Sequence, residues 1–417
     1  VTTSAHDSST DAPPHSATQR RVLTVLVASQ ILSGAGLAAG ITVGALLAQD
    51  MLGSTDLAGL PTALFTAGSA LAAVGVGRVS HSRGRRPGLA AGYLTGAVGS
   101  AGVVAAAAVG SAVLLFTALL VYGAGTATNL QARYAGADLA APAHRARAVS
   151  TVLVATTLGG VVGPTLAAPA GVLADALGIP TLAGPFLLSG TAYGLAALVL
   201  LVRLRPDPLL LARRLEAERH AAGAATTAQA PDSSRGPGLV LGTLTMIVAQ
   251  LVMVAVMTMT PVHMHDHGHS TVASGLVIGI HVGAMYLPSP VTGWLVDRYG
   301  RRTVAAAAGL TLLAAGCTAA AAPAHSVVLL ALALALLGLG WNFGLVSGTA
   351  MITDALPPAT RAKAQGMADV SVAVAGATGG LASGVVVSAG SFPVLALASG
   401  ILALAILPAV AATAAGR

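Results

Sequence analysis

Charge is what this chain most lacks. Asp, Glu, Lys and Arg make up 8% of its 417 residues, where an ordinary soluble domain carries about 25%. A chain so poor in charge cannot clothe itself in a polar surface, which excludes a water-soluble globule. Cysteine is nearly absent: Cys317 stands alone inside an apolar run, so no disulfide or thiolate cluster forms within one chain. Aromatic residues are 3% of the total, which argues against a roomy, aromatic-lined cavity for bulky apolar ligands. No nucleophile–base pair and no phosphate-binding loop is found, so an enzyme is not expected. Polar–apolar alternation is missing too, and with it the signature of a membrane β-barrel.

What remains is a series of apolar runs of about 20 residues, the length that crosses a hydrocarbon core. With no water to satisfy the backbone there, such runs must be helices. They predict spans at 22–48, 57–77, 88–109, 112–134, 149–174 and 180–202, then at 239–262, 272–296, 303–322, 326–350, 364–388 and 391–414. The fold class is therefore an all-α membrane protein of twelve transmembrane helices. Residues 1–21 read as a disordered polar tail with no apolar core of a leader. Residues 203–238 hold six arginines and four acids and read as a linker between helical bundles 22–202 and 239–417, with a short surface helix at 208–221.

The net charge of +7 is sorted by side. With the N-terminus in the cytosol, every Lys and Arg falls on the cytosolic face, including the Arg78–Arg86 loop, Arg133 to Arg147, the linker, Arg298 to Arg302, Arg361 and Lys363. Asp50, Asp56, Asp175 and Asp266 fall outside. This is the positive-inside pattern. The basic charge reads as a solvated face near anionic lipid, not as a nucleic-acid surface.

The chain repeats itself. Gly77, Gly84, Arg85 and Arg86 recur as Gly293, Gly300, Arg301 and Arg302, 216 residues on; Asp138 and Arg145 recur as Asp354 and Arg361, and Gly160 and Gly163 as Gly376 and Gly379, at the same offset. Two homologous six-helix halves follow, with a substrate site expected between them. The Gly-x-x-x-Asp-Arg-x-Gly-Arg-Arg pattern, between helices 2 and 3 and again between helices 8 and 9, resembles the signature of the major facilitator superfamily. The second copy is complete, with Asp297 and Arg298; the first has His81 and Ser82 in their places. The resemblance implies that Gly77, Arg85, Arg86, Gly293, Asp297, Arg298, Gly300, Arg301 and Arg302 form a cytosolic gate whose first latch lacks its carboxylate. Gly159-x-x-x-Gly163-Pro164 in helix 5 is similar to a motif frequent in exporting facilitators, and suits close helix packing equally.

Chemistry-bearing side chains concentrate in helices 7 and 8 and the loop between them. Six of nine methionines and five of eleven histidines lie there. Met246, Met253, Met257 and Met264, spaced 7, 4 and 7 apart, share a helical stripe. His281 and Met285 are one turn apart on helix 8. His281 lies roughly 15 Å below the outer helix end, with Met257 and Met253 about 9 and 15 Å deep. Thioether sulfur suits Cu(I) better than Zn, Mg or Ca, and an intramembrane ionisable group is a functional candidate by default. His263, Met264, His265, His267 and His269 read as an outer collecting patch, and Met246 as an exit ligand. Packing of apolar methionines is the competing account.

Met253-x-x-x-Met257 followed by His281-x-x-x-Met285 resembles the paired metal motifs of CcoA-type bacterial copper importers. The resemblance implies copper binding by Met253, Met257, His281 and Met285, import across the bacterial cytoplasmic membrane by alternating access, and release to a cytosolic copper acceptor. Cu(I) is favoured over Cu(II), copper is cargo, and no permanent cofactor is expected. A proton-antiporting exporter of drugs or metabolites and a non-transporting metal sensor stand as alternatives. For energy coupling Asp369, near the cytosolic end of helix 11, is the nearest carboxylate, with an interfacial position as its plainer account.

Overall fold

A computed structural model describes residues 14–52, 60–221 and 236–415. The tail up to residue 13, Asp56, linker residues 222–235 and Arg417 lie outside them. The first half holds α1 (Pro14–Leu52), α2 (Leu60–Arg83), α3 (Arg85–Val109), α4 (Ala112–Ala137), α5 (Arg145–Ala176) and α6 (Gly184–Arg203). The linker carries α7 (Pro208–Ala221), the surface helix expected there. The second half holds α8 (Pro237–Asp266), α9 (Thr271–Tyr286), α10 (Ser289–Tyr299), α11 (Arg301–Ala321), α12 (Val327–Ala355), α13 (Pro358–Ala389), α14 (Phe392–Ala403) and α15 (Ile406–Ala415).

Ten of the described helices are long and apolar enough to cross a membrane, and α5 makes an eleventh as two pieces bent by 51°. The remaining expected span, 22–48, falls within α1. Two spans are assembled from pieces: α9 with α10, and α14 with α15. The helix expected from residue 22 begins at Pro14, so 14–21 is helix and not tail; Gln19 there donates to the Gly136 carbonyl at 2.7 Å.

Helix starts follow local chemistry. On the side away from the linker, α4, α9, α12 and α14 are each capped by a serine: Ser111, Ser270, Ser326 and Ser391 accept the N–H three residues on. Such a cap contributes about 0.5–2 kcal/mol. On the linker side, the stretches 78–86 and 298–302 are not loops. A single glycine, Gly84 at φ +97° or Gly300 at φ +96°, turns each pair of helices, in backbone space that favours a residue without Cβ.

Each half has its own apolar core. Within the first, α1 packs on α5 and α6, and α4 on α2 and α3. The second repeats this, with α8 on α13 and α12 on α9 and α11. The halves meet along α2 with α13 and α5 with α10. At the α1–α5 crossing, a Cβ on Gly159 would sit 2.0 Å from the Ile31 carbonyl, so this glycine of the helix 5 motif is committed to backbone packing.

Candidate functional site

The methionine and histidine face comes first. α8 runs to Asp266, further than its apolar run suggested, and this resets the depths. Met257 lies nine residues and Met253 thirteen residues from that end, roughly 14 and 20 Å. From the start of α9 at Thr271, His281 and Met285 lie roughly 15 and 21 Å down. By this count Met257 lies at the depth of His281, and Met253 at the depth of Met285. The helices do not face one another directly. α8 and α9 both pack along α12 and touch each other little. His281 Nδ1 lies 2.9 Å from the Leu334 carbonyl on α12. A Cβ on Gly338 would sit 2.5 Å from the His281 carbonyl, so the two helices are in close contact there.

His281 is fully buried. A carbonyl can only accept, so Nδ1 must carry the hydrogen. In the neutral ring Nε2 then bears a bare lone pair, and Nε2 is buried with no hydrogen-bond partner. Met253 and Met285 are buried in the same core, with Met257 and Met259 at its edge. Met246 lies against Gly348, where a Cβ would be 3.1 Å from its sulfur; in this state it packs. The outer patch is more structured than a loop. His263 sits on the last turn of α8, stacked on Phe392 at 4.4 Å, and His267 Nδ1 lies 2.7 Å from its carbonyl. His269 Nε2 meets the Ala324 carbonyl at 2.8 Å, and Met264 is fully buried. His265 and His267 are exposed.

The gate residues form a pseudo-symmetric set on the linker side. Asp138 accepts from Arg85 of its own half at 2.8 Å and pairs with Arg361 of the other half at 3.5 Å. Its repeat, Asp354, pairs with Arg301 of its own half at 2.7 Å and with Arg145 of the other. Arg85 and Arg361 are buried. These arginines were expected on a solvated face; they sit inside a network, because partners from the opposite half meet them there. Gly77 lets α2 approach Gly366 of α13, and Gly293 lets α10 approach Ala146 and Ser150 of α5.

The two turns then part company. Asp297 accepts the backbone N–H groups of Ala146 and Arg147, both at 3.1 Å, at the start of α5, where a helix N-terminus favours an anion. His81 has no such role. Linker residue Arg213 donates to the His81 carbonyl at 2.9 Å and to the Pro358 and Ala359 carbonyls at 3.0 Å each, so α7 ties the halves together where the first latch lacks its acid. Asp207, at the start of α7, accepts the Arg86 N–H at 2.7 Å. Arg298 is exposed and Arg302 half-buried.

A third element was misplaced in the sequence. Arg133, expected among the solvated basic residues, is fully buried. It pairs with Asp369 of α13 at 2.6 Å and donates to Thr349 of α12, its own repeat position, at 3.0 Å. Asp369 is 8% exposed and lies between the halves, not at an interface with water.

A family model for the Major Facilitator Superfamily matches residues 26–287 and 242–414. The chain belongs to this superfamily. The facilitator is 54% identical over 392 residues to the uncharacterized MFS-type transporter YdeG of Bacillus subtilis, spanning 94% of this chain and 91% of that one. It is 33% identical over 353 residues to the riboflavin transporter RfnT of Brucella anthropi, spanning 84% and 85%. Its fold matches the human organic anion transporter MFSD10 with a TM-score of 0.75 at 18% identity, over 95% of this chain and 100% of that one. The proton:xylose symporter XylE matches at 0.69 and 16%, over 94% and 95%. The protein is thus a multi-pass membrane transporter and not an enzyme.

Sequence reasoning missed one polar centre of this facilitator. In the first half Tyr93 donates to Gln30 Oε1 at 2.6 Å, and Gln30 donates to the Asn129 carbonyl and to Thr156. Asn129 donates to Ser33 at 2.8 Å. These residues come from four helices and are scattered along the chain, so no spacing announces them. In the second half Trp341 donates to Gln250 Oε1 at 2.7 Å, and Tyr286 stands edge-on to the Trp341 ring at 5.7 Å.

Proposed function

We propose that this facilitator imports copper by alternating access, with Met257 and His281 as the upper rung and Met253 and Met285 as the lower rung of its path. The observation that carries this reading is the His281 Nε2 lone pair, buried and unpartnered one turn from Met285. A buried acceptor without a donor costs free energy, about 1–3 kcal/mol, unless a ligand supplies the missing bond. Among the described residues no three His, Cys, Asp or Glu side chains gather as a metal site. The available donors are thus thioether and imidazole, a set that favours Cu(I) over zinc or manganese. The exposed His265 and His267 would collect the ion. The linker side is the cytosol in this reading, following the charge sorting, and the joined gate then makes the conformation outward-facing. Cu(I) uptake into proteoliposomes, compared with zinc and manganese, tests it: saturable uptake of copper alone is the expected result.

A second reading has its own observation. The likeness to the riboflavin transporter RfnT favours a flat organic solute, for which Trp341, Tyr286 and Gln250 supply stacking faces and an amide. Riboflavin uptake in the same vesicles, with no copper uptake, would establish this reading and remove the first.

A further inference from the structure

A cavity of about 350 Å³ lies on the linker side, apart from the methionine and histidine face. The first half lends it Thr18 of α1, the connection from Asp138 to Pro142, and Arg145 of α5. The second half lends Pro358 and Arg361 of α13, and α7 supplies the remaining wall. Gate duties explain only part of this lining. At the offset of 216, Pro142 and Arg145 repeat as Pro358 and Arg361, so both copies of one connection meet here. Asp138 takes part, but its repeat Asp354 does not. The asymmetry comes from α7, since a chain of two halves has one linker to lay across the seam. Asp207 accepts the N–H groups of Leu209 and Leu210 at the start of α7, and Arg213 ties the helix to the Pro358 and Ala359 carbonyls. Leu211 and Leu215, one turn apart on α7, then give the cavity an apolar side.

The rest of the lining has a surplus of positive charge. Arg145, Arg219 and Arg361 stand against Asp138 and Glu216, three cations to two anions. The ion-pair partners just beyond, Arg85, Arg301 and Asp354, keep the balance positive. Two of the arginines also hold unused donors. Arg145 Nε and Arg361 Nη1 are buried without a hydrogen bond, the latter 3.5 Å from Asp138 Oδ1. Buried donors left unpaired cost free energy, and a charged acceptor is the partner that suits them best. Arg219 is exposed, on the last turn of α7.

We infer that this cavity binds a small organic carboxylate, one negative charge on an apolar body, and that its occupancy holds the two halves together on the linker side. Its volume is at the lower end of the range for ligand cavities, about 300–1,000 Å³, which admits a single ring or a short chain. The carboxylate oxygens supply the acceptors that Arg145 and Arg361 lack, while Leu211 and Leu215 cover the body. A phosphate dianion would bring two charges toward Asp138 and Glu216 and leave the leucines bare. Because the walls come from both halves, the site is whole only while they meet. A ligand that binds one of two states shifts the balance toward that state, so the acid acts as a brake applied from the linker side. Nothing in this depends on the identity of the cargo.

Fluorine NMR with 4-fluorobenzoate as the probe tests the assignment on the full chain in nanodiscs at low ionic strength. The parent should bind it saturably, and the neutral 4-fluorobenzamide should not bind. Leu215→Trp, which fills the cavity from α7, should abolish saturation. Arg219→Glu, at an exposed position, should weaken binding roughly three-fold or more. No saturable binding, equal binding of the amide, or a titration that neither variant moves overturns the site. If Leu215→Trp does not fold, Arg219→Glu decides alone, and an unmoved titration sinks the proposal. Displacement of the probe by an equal concentration of inorganic phosphate overturns the choice of a carboxylate. The link to the gate is read from spin labels on Arg83→Cys and Lys363→Cys, both exposed near the linker ends of α2 and α13. They are placed in a Cys317→Ser, Asp297→Asn background, whose weakened gate samples both states. At ten times its dissociation constant the probe should raise the closed-to-open ratio about ten-fold. A distance distribution that the probe does not move overturns the braking role.

Discussion

The two halves share a fold and an offset, yet the buried clusters at corresponding places in them differ in chemistry. The first half buries a closed polar net in which Gln30, Ser33, Tyr93, Asn129 and Thr156 satisfy one another. The second buries thioethers and an imidazole nitrogen that nothing satisfies. At the offset of 216, the positions of Met253, Met257, His281 and Met285 are held in the first half by Leu37, Ile41, Phe65 and Ser69. A duplicated chain can divide its work this way. In the proposed copper reading, the net that is already complete serves as scaffold and the half with the open lone pair binds.

The sharpest way to break this contrast is at the open nitrogen. His281→Leu should abolish copper uptake at matched protein levels, as should Met257→Leu, because Leu and Met exchange in a packed core typically costs less than about 1.5 kcal/mol and leaves the fold intact. Met259→Leu, off the stripe, should leave uptake near normal. Near-normal uptake in all three would return the methionines to packing.

The gate offers the next contrast. Asp297→Asn weakens two charge-assisted bonds to the start of α5, worth about 1.5–3 kcal/mol, and should shift the equilibrium between closed and open gates roughly 10- to 150-fold, read from distances between spin labels placed across α5 and α10. A smaller effect belongs to the scaffold. Gln30→Leu strips Tyr93 and Ser33 of a partner and should lower stability by about 1–3 kcal/mol in a thermal melt while the cargo preference of the surviving protein stays put. A change in preference would mean that the first half also reads the cargo. Arg213→Ala should loosen the gate about five-fold or less, since the side chain is half-exposed. His81→Asn should do least, because Arg213 is held mainly by the carbonyl of residue 81 and not by its ring.

The spans and the duplication were legible because lipid imposes a length and a polarity on every helix, and because repeated glycines and arginines survive at one spacing. Arg133, Arg85 and Arg361 were misread for a physical reason. Counting charges by side assumes that each meets water, whereas their partners Asp369, Gln365 and Asp138 come from distant helices of one half or the other. The matching depths of Met257 with His281 and of Met253 with Met285 were half legible: spacing gave each helix its stripe, but that α8 and α9 both pack on α12 is a property of helix order within the bundle. Arg213 gave no signal at all, since an isolated linker arginine looks like any solvated charge.

The one-residue turns at Gly84 and Gly300 carry a mechanical consequence. Helices joined by a single residue have no slack, so α2 with α3, and α10 with α11, can only swing as stiff levers. One arm of each pair, α2 or α10, presses on the opposite half. The other arm, α3 or α11, presents Leu94 and Val98, or Leu310, to the surroundings. Any parting of the gate therefore sweeps those arms through the hydrocarbon, and the thickness of the bilayer bears on how often the gate parts.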